Sequence, residues 1–198
     1  MADSNPAHYR AAISVWAALG VTMLLSLFAT AQAADVVTTG KDDDGWRLLV
    51  NGEDYYVKGV VWGYTPRGEN YTYNLWGKGD DHIRKVLDYD FGLMKEAGVN
   101  TIRSFAMIPP KWVTYIYREH GIRTVINPLM GRYGYSIGGR WVPFTDYSDP
   151  LTRATLLADT VELVAQYKDV PGVLMFACGN ESNYGLSWSS FEIENLPE

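Results

Sequence analysis

The 198-residue sequence has one cysteine, Cys178, and three histidines, His8, His82 and His120. A lone cysteine excludes an intramolecular disulfide, so a chain of this length has to hold itself together through an apolar core. No His, Cys and Asp/Glu group has metal-ligand spacing, which disfavours zinc chemistry, and no metal is expected. Glycine-rich phosphate cradles are also missing: no strand runs into Gly-x-Gly-x-x-Gly or Gly-x-x-x-x-Gly-Lys-Ser/Thr. The Gly-x-Ser-x-Gly elbow of a serine hydrolase is absent too, and no cofactor is implied. Positive charge is scarce, with 17 Lys and Arg against 23 Asp and Glu, a formal net charge of -6 and a pI near 5.1. Nucleic acids and anionic membranes need clustered basic groups, and here the basic residues are scattered singly, so neither is an expected partner.

Aromatic residues are abundant instead, with 7 Trp and 14 Tyr. Their flat apolar faces and polar tips suit both a core and the stacking of sugar rings. A hydrophobic fraction of 47% is that of an ordinary folded domain. Residues 11–29 form an uncharged, mainly apolar run behind Arg10, followed by Ala31-Gln32-Ala33. This pattern predicts a secretory signal peptide over residues 1–33, cleaved after Ala33, and hence a secreted or periplasmic protein with no membrane attachment after cleavage. The alternative is an uncleaved anchor, because 19 apolar residues nearly span a bilayer. Asn70 and Asn180 each begin an Asn-x-Ser/Thr triplet that would matter in a glycosylating host.

Residues 34–45 read as a loose polar leader. Next, Trp46 to Val50, the turn Asn51-Gly52, and Tyr55 to Val57 read as a β-hairpin capping one end of a larger fold. Four short apolar strands follow, Lys58 to Trp62, Asn100 to Phe105, Ile122 to Asn127 and Val173 to Cys178, and three amphipathic helical patterns separate them. The first begins with Asp80 or Asp81 as N-cap, repeats Ile83, Val86, Leu87, Phe91 and Met94, and stops at Gly98. Pro109-Pro110 opens the second, which buries Trp112, Val113 and Ile116 and ends at Gly121. The third opens at Asp149-Pro150, carries Leu156, Leu157, Val161 and Val164, and ends before Pro171.

Strand-helix alternation predicts parallel βαβ units, in either an eight-stranded barrel or an open doubly wound sheet. The loops favour the barrel: Gly63 to Gly79 and Met130 to Ser148 are long and rich in aromatic and polar residues, as loops that build a barrel's active face are. The expected fold is therefore α/β, an incomplete (β/α)8 TIM barrel of about the first four β/α units over residues 46–198. Four strands leave sheet edges open, which suggests a partial sequence.

The strand Val173-Leu174-Met175-Phe176-Ala177-Cys178-Gly179 delivers Asn180-Glu181 to its C-terminal tip. On this stretch the sequence resembles the clan of retaining glycosidases with (β/α)8 barrels, in which Asn-Glu at the end of the fourth strand carries the acid/base. The likeness covers roughly Trp46 to Trp188. It is nearest to the catalytic domain of glycoside hydrolase family 2, through Phe91-Gly92-Leu93-Met94-Lys95-Glu96-Ala97-Gly98-Val99-Asn100-Thr101-Ile102-Arg103, Pro109-Pro110 and His120-Gly121-Ile122. The family 72 β-1,3-glucanosyltransferases are also similar, with a comparable Gly-Asn-Glu ending.

The resemblance implies hydrolysis or transfer of O-glycosidic bonds in a poly- or oligosaccharide, with Glu181 as proton donor. It also implies that Asn180 bonds a sugar hydroxyl and that Arg103 holds the nucleophile carboxylate ionised. Such enzymes need two carboxyl groups about 5–5.5 Å apart. The family pattern puts the nucleophile on a seventh strand, after Glu198, since Asp88, Asp90, Glu96 and Glu119 all fall on helices. Trp62, Tyr133, Tyr184 and Trp188 lie at or beyond strand ends, as sugar platforms or as packing. Arg103 equally suits a structural ion pair, and Cys178 reads as core. A non-catalytic carbohydrate-binding barrel and an inactive fragment are the competing readings. Export is directly checkable: N-terminal sequencing of protein from the periplasm or medium should begin at Ala34, and recovery of intact Met1 there would refute cleavage.

Overall fold

A computed structural model of the chain describes residues 33–104 and 106–180. Residues 1–32, carrying the expected signal peptide, and Glu181, Tyr184 and Trp188 lie outside the described residues. The first sheet is antiparallel, made of β1 (Val37–Asp42), β2 (Gly45–Val50) and β3 (Glu53–Asp54) in that order. Asn51 (φ 54°) and Gly52 (φ 85°) both take positive φ between β2 and β3, as a two-residue type I′ turn requires. The second strand of this hairpin is Glu53–Asp54 and not Tyr55 to Val57. The loose leader is corrected as well. Val37–Asp42 pairs with β2 from Val37↔Val50 through Asp42↔Gly45, because its β-branched Val37, Thr38 and Thr39 suit a pleated, half-exposed strand.

The chain then alternates. Strand β4 (Gly59–Val61) leads to helix α1 (Asp80–Glu96), β5 (Thr101–Arg103), α2 (Pro110–His120) and β6 (Arg123–Ile126). A small antiparallel hairpin, β7 (Tyr135–Ile137) and β8 (Arg140–Val142), comes before α3 (Pro150–Tyr167) and β9 (Val173–Phe176). The parallel strands are ordered β4-β5-β6-β9 with no reversal, and among the described residues the sheet is open at β4 and β9. A doubly wound sheet changes direction at its switch point, whereas this order runs one way.

Each helix starts where local chemistry permits. Asp80 and Asp81 sit in the first turn of α1, beside the positive end of its dipole, and Gly79 is the N-cap. Pro110 opens α2 at a position that needs no amide hydrogen. Asp149 caps α3, its carboxylate accepting from the Thr152 amide at 2.7 Å and the Thr152 hydroxyl at 2.8 Å. Helices α1 and α2 bury Ile83, Val86, Leu87, Phe91, Trp112, Val113 and Ile116 in one core with Ile102 and Ile126 from the strands and Tyr167 from α3. Helix α3 departs from expectation. Its buried side chains are Thr152, Leu156 and Tyr167, while Leu157 and Val161 are 62% and 59% exposed. Those two lie four residues apart on a stripe one helical step round from Leu156, which alone of the three is buried.

The N-terminal sheet closes the end of the parallel sheet where the strands begin. The Tyr55 hydroxyl donates to the Asn100 carbonyl and meets Thr101 Oγ1, while Asn100 accepts from the Lys58 amide and donates to the Tyr56 carbonyl. At the start of β6, Arg123 Nε donates to Asp35 Oδ2 at 2.8 Å, and its guanidinium lies over the rings of Tyr55 and Tyr117. Asp35 also accepts from Asn51 Nδ2 and the Tyr117 hydroxyl. Burial alone would raise the Asp35 pKa, but the hydrogen bonds and positive charge of Arg123, with the Asn51 and Tyr117 hydrogen bonds, outweigh it and hold the carboxyl below its usual value.

A depressed folded-state pKa stabilises the fold above the unfolded carboxyl pKa, and the benefit disappears as pH falls through the folded value. Asp35→Asn should therefore cost about 2–3 kcal/mol at pH 7, mostly from leaving Arg123 without its anion. The deficit should shrink in thermal melts below about pH 4, near the unfolded aspartate pKa. A deficit independent of pH would show that the ion pair contributes nothing.

Candidate functional site

At the opposite end of the sheet the strands release polar residues. Arg103 is the last residue of β5, Asn127 follows β6 directly, and Asn180 lies just past β9. Arg103 Nε donates to Asn127 Oδ1 at 2.8 Å, and Nη2 contacts the same oxygen. Nη2 also donates to Asn180 Oδ1 at 2.6 Å. Asn127 Nδ2 donates to the carbonyls of Ala177 (2.8 Å) and Gly179 (2.9 Å). Asn180 Nδ2 in turn donates to the Tyr133 hydroxyl at 2.6 Å. Asn127 is 2% exposed and uses both amide hydrogens and both lone pairs of its oxygen, the full capacity of the side chain.

Main-chain bonds complete the joint. The Ala177 amide donates to the Ile126 carbonyl and the Gly179 amide to the Pro128 carbonyl, extending β6–β9 contact past the strand limits. Gly179 takes φ 92°, turning the chain as it leaves the sheet. Asn180 therefore arrives with its carbonyl turned to a permanent cation and its amide nitrogen to a phenol. A half-buried guanidinium beside two fixed amides can bind an oxygen-rich ligand or hold a nearby carboxylate ionised.

Two hollows open near these tips. One of about 210 Å³ is lined by Leu129, Met130, Arg132, Phe144, Cys178 and Gly179 among others. Another of about 170 Å³, beside β4 and β5, is lined by Trp62, Tyr64, Tyr73, Trp76 and Ser104 among others. Among the described residues no group of three or more His, Cys, Asp or Glu could hold a metal ion, and no helix is long and apolar enough to cross a membrane.

The structure brings together Arg103, Asn180 and Tyr133 of the residues singled out from sequence. Trp62 is corrected as a sugar platform. It is 6% exposed, packs on Phe91 and Trp76, and donates Nε1–H to Asp90 Oδ2 at 2.9 Å, so little of the ring reaches the hollow that it lines. Its position at the end of β4 places it under α1, whose side chains cover it. Cys178 is exposed and not core, because it lies beyond Phe176, where β9 ends. Glu181, Tyr184 and Trp188 are outside the described residues. Asp88 and Asp90 are engaged away from the tips, Asp88 by Tyr115 and His120, Asp90 by Trp62. Sequence reading missed Asn127 as a site residue. The available signal was an amide ending an apolar strand directly before a proline.

No family model and no curated protein matches the chain. Among solved structures it is similar to the β-glucuronidase of Parabacteroides merdae, seen alone and with glycerol in its active site. Both comparisons give a TM-score of 0.49 and 15% identity over 79% of this chain, and cover 17% and 18% of that chain respectively. It is also similar to the β-glucuronidase of Ruminococcus gnavus in complex with an N1-substituted uronic isofagomine, with a TM-score of 0.46, 19% identity, and coverage of 81% of this chain and 23% of that one. The chain thus spans about a fifth of the length of these proteins.

Replacing Asn127 by the isosteric Leu strands two carbonyls and part of a guanidinium in a water-poor setting. A loss of roughly 2–4 kcal/mol is expected in urea unfolding, given about 1–3 kcal/mol per unsatisfied buried group, more where the group is charged. A loss below about 0.5 kcal/mol, typical of an inert surface change, would show that the joint is not made.

Proposed function

We propose that the protein is a retaining glycoside hydrolase or transglycosylase, in which β4, β5, β6 and β9 are the first four strands of a (β/α)8 barrel and Glu181 is the acid/base. The observation that carries this reading is the Arg103–Asn127–Asn180 network at the C-terminal tips of three adjacent parallel strands. Enzymes of barrel architecture build their sites from strand tips of this kind. Asn180 is a polar residue held there at a defined angle, and Glu181 is covalently next to it.

Retention of configuration needs two carboxyl groups. Glu181 gives its proton to the leaving oxygen as the nucleophile forms the glycosyl-enzyme, then takes a proton from the water that releases it. Arg103 keeps the nucleophile anionic, since a guanidinium stays charged at any working pH. Asn180 directs its second amide hydrogen to a sugar hydroxyl, a bond that strengthens as positive charge develops in the ring. The substrate is a poly- or oligosaccharide, and export through cleavage after Ala33 would deliver the protein to it.

Two measurements test this. Purified as the 198-residue chain, the protein should show no turnover of an aryl glycoside, because one carboxyl cannot serve as donor and nucleophile. Turnover abolished by Glu181→Gln would overturn the strand register. In a longer form supplying the second carboxylate, Glu181→Ala should nearly abolish cleavage of natural glycosides. The same variant should still be glycosylated by an aryl glycoside with an acidic leaving group, and azide should restore turnover with a glycosyl azide of retained configuration. Undiminished cleavage of natural glycosides by Glu181→Ala would remove the assignment, and an azide product of inverted configuration would make Glu181 the nucleophile.

A further inference from the structure

The β7–β8 hairpin holds an aromatic ring in an unusual setting. Its register pairs Tyr135 with Val142, Ser136 with Trp141 and Ile137 with Arg140. Tyr135 faces inward, where its hydroxyl meets Thr152 Oγ1 at 2.7 Å, so Ser136 and Trp141 belong to the outward face. Trp141 lies against the backbone of Gly134. A Cβ added there would sit 2.5 Å from Trp141 Cζ2 and 2.6 Å from the Val142 carbonyl oxygen, so only glycine leaves room for the ring. Gly134 also takes φ 100°, a conformation that side chains oppose. The indole is thereby supported from below and remains 58% exposed.

A large ring bedded on glycine and open to water costs hydration and returns no core packing. Its surroundings say what it would meet. Ser136 is exposed opposite it on the same face, Gly138 and Gly139 form the turn, and Phe144 (59% exposed) and Tyr147 (47%) are exposed further along the same loop. Immediately before Gly134 stands Tyr133, whose hydroxyl accepts from Asn180. The glycine that beds the ring is thus the chain neighbour of a side chain in the strand-tip network.

We propose that Trp141 is a carbohydrate-stacking platform, holding a sugar unit of a chain whose neighbouring unit lies at Asn180. A pyranose has an apolar C–H face and a polar rim, which fits an exposed indole paired with Ser136 on the same face of the hairpin. The inference rests on the reading that Asn180 faces carbohydrate, and requires no turnover. It adds a requirement for at least two linked sugars, one at Trp141 and one at Asn180.

The test is binding of the 198-residue chain to an array of β-linked gluco-, galacto- and manno-oligosaccharides of one to six units. Trp141→Ala, Trp141→Phe and Asn180→Ala are compared, with circular dichroism checking each fold. Binding should require two or more units, and Trp141→Ala should weaken it about five- to tenfold, a loss in the range of one aromatic stacking contact. Trp141→Phe should retain most of it. Unchanged affinity in Trp141→Ala, with loss in Asn180→Ala, would overturn the platform and leave the Asn180 site standing. Binding lost in Trp141→Ala while a longer form lacks glycosidase activity would uphold the platform and defeat the catalytic reading. No binding to any array member would overturn the platform.

Discussion

Asn127 is the joint on which the candidate site depends. A strand end is a weak place to fix a side chain, because the ladder that aligns the backbone has stopped there. Here one buried amide replaces the missing ladder, its nitrogen holding two carbonyls of the segment beyond β9 and its oxygen holding the guanidinium at the end of β5. Three strand tips are thereby tied by a group with no spare hydrogen-bonding capacity. Saturation of this kind makes a polar network rigid, since any displacement leaves a donor or acceptor unpaired in a poorly hydrated place. Asn180 inherits its position from this joint.

The two ends of the parallel sheet spend their polar groups differently. Where the strands begin, Asp35, Asn51, Tyr55, Tyr117 and Arg123 satisfy one another, and the β1–β3 sheet is tied there by short-range charge and hydrogen bonding. Where the strands finish, the polar groups face two hollows and a long excursion carrying the exposed aromatics Tyr133, Trp141, Phe144 and Tyr147. A parallel sheet makes this asymmetry unavoidable, because every strand presents the same end to the same side. At one end the polar groups satisfy one another, and at the other they lie beside the two hollows.

Periodicity made the three helices and four parallel strands legible, because Ile83, Val86, Leu87 and Phe91, or Trp112, Val113 and Ile116, repeat at helical spacing and meet the core. Arg103, Asn180 and Tyr133 were legible as strand-end polar residues. Strand β1 was not, since VTTGKD lacks apolar alternation and owes its form to the edge of β2 that it covers. Trp62 and Asn127 failed for a shared reason. Position at a strand tip does not say whether a side chain turns under the helices or towards its neighbours' tips, and only packing decides that. The outward turn of Leu157 and Val161 was equally hidden, because α3 is apolar on more than one face and hydrophobicity alone does not select the one that meets the core.

Part of the apolar exposure among the described residues lies at the flanks of the parallel sheet. Val60 and Val61 on edge strand β4, Met175 on edge strand β9, and Leu151, Leu157 and Val161 on α3 remain open, while the strand faces of α1 and α2 are filled. An unpaired edge and an uncovered stripe favour association with whatever extends the same layers. Among the described residues strand β9 pairs with β6 alone, so its tip lacks the two-sided restraint that β4 and β6 give β5. Its tip is nonetheless held through the amides of Ala177 and Gly179 and through Asn127. The restraint that a second neighbouring strand would supply is met from within the β6 tip, which is why Asn180 can be in place while the flank beside it stays open.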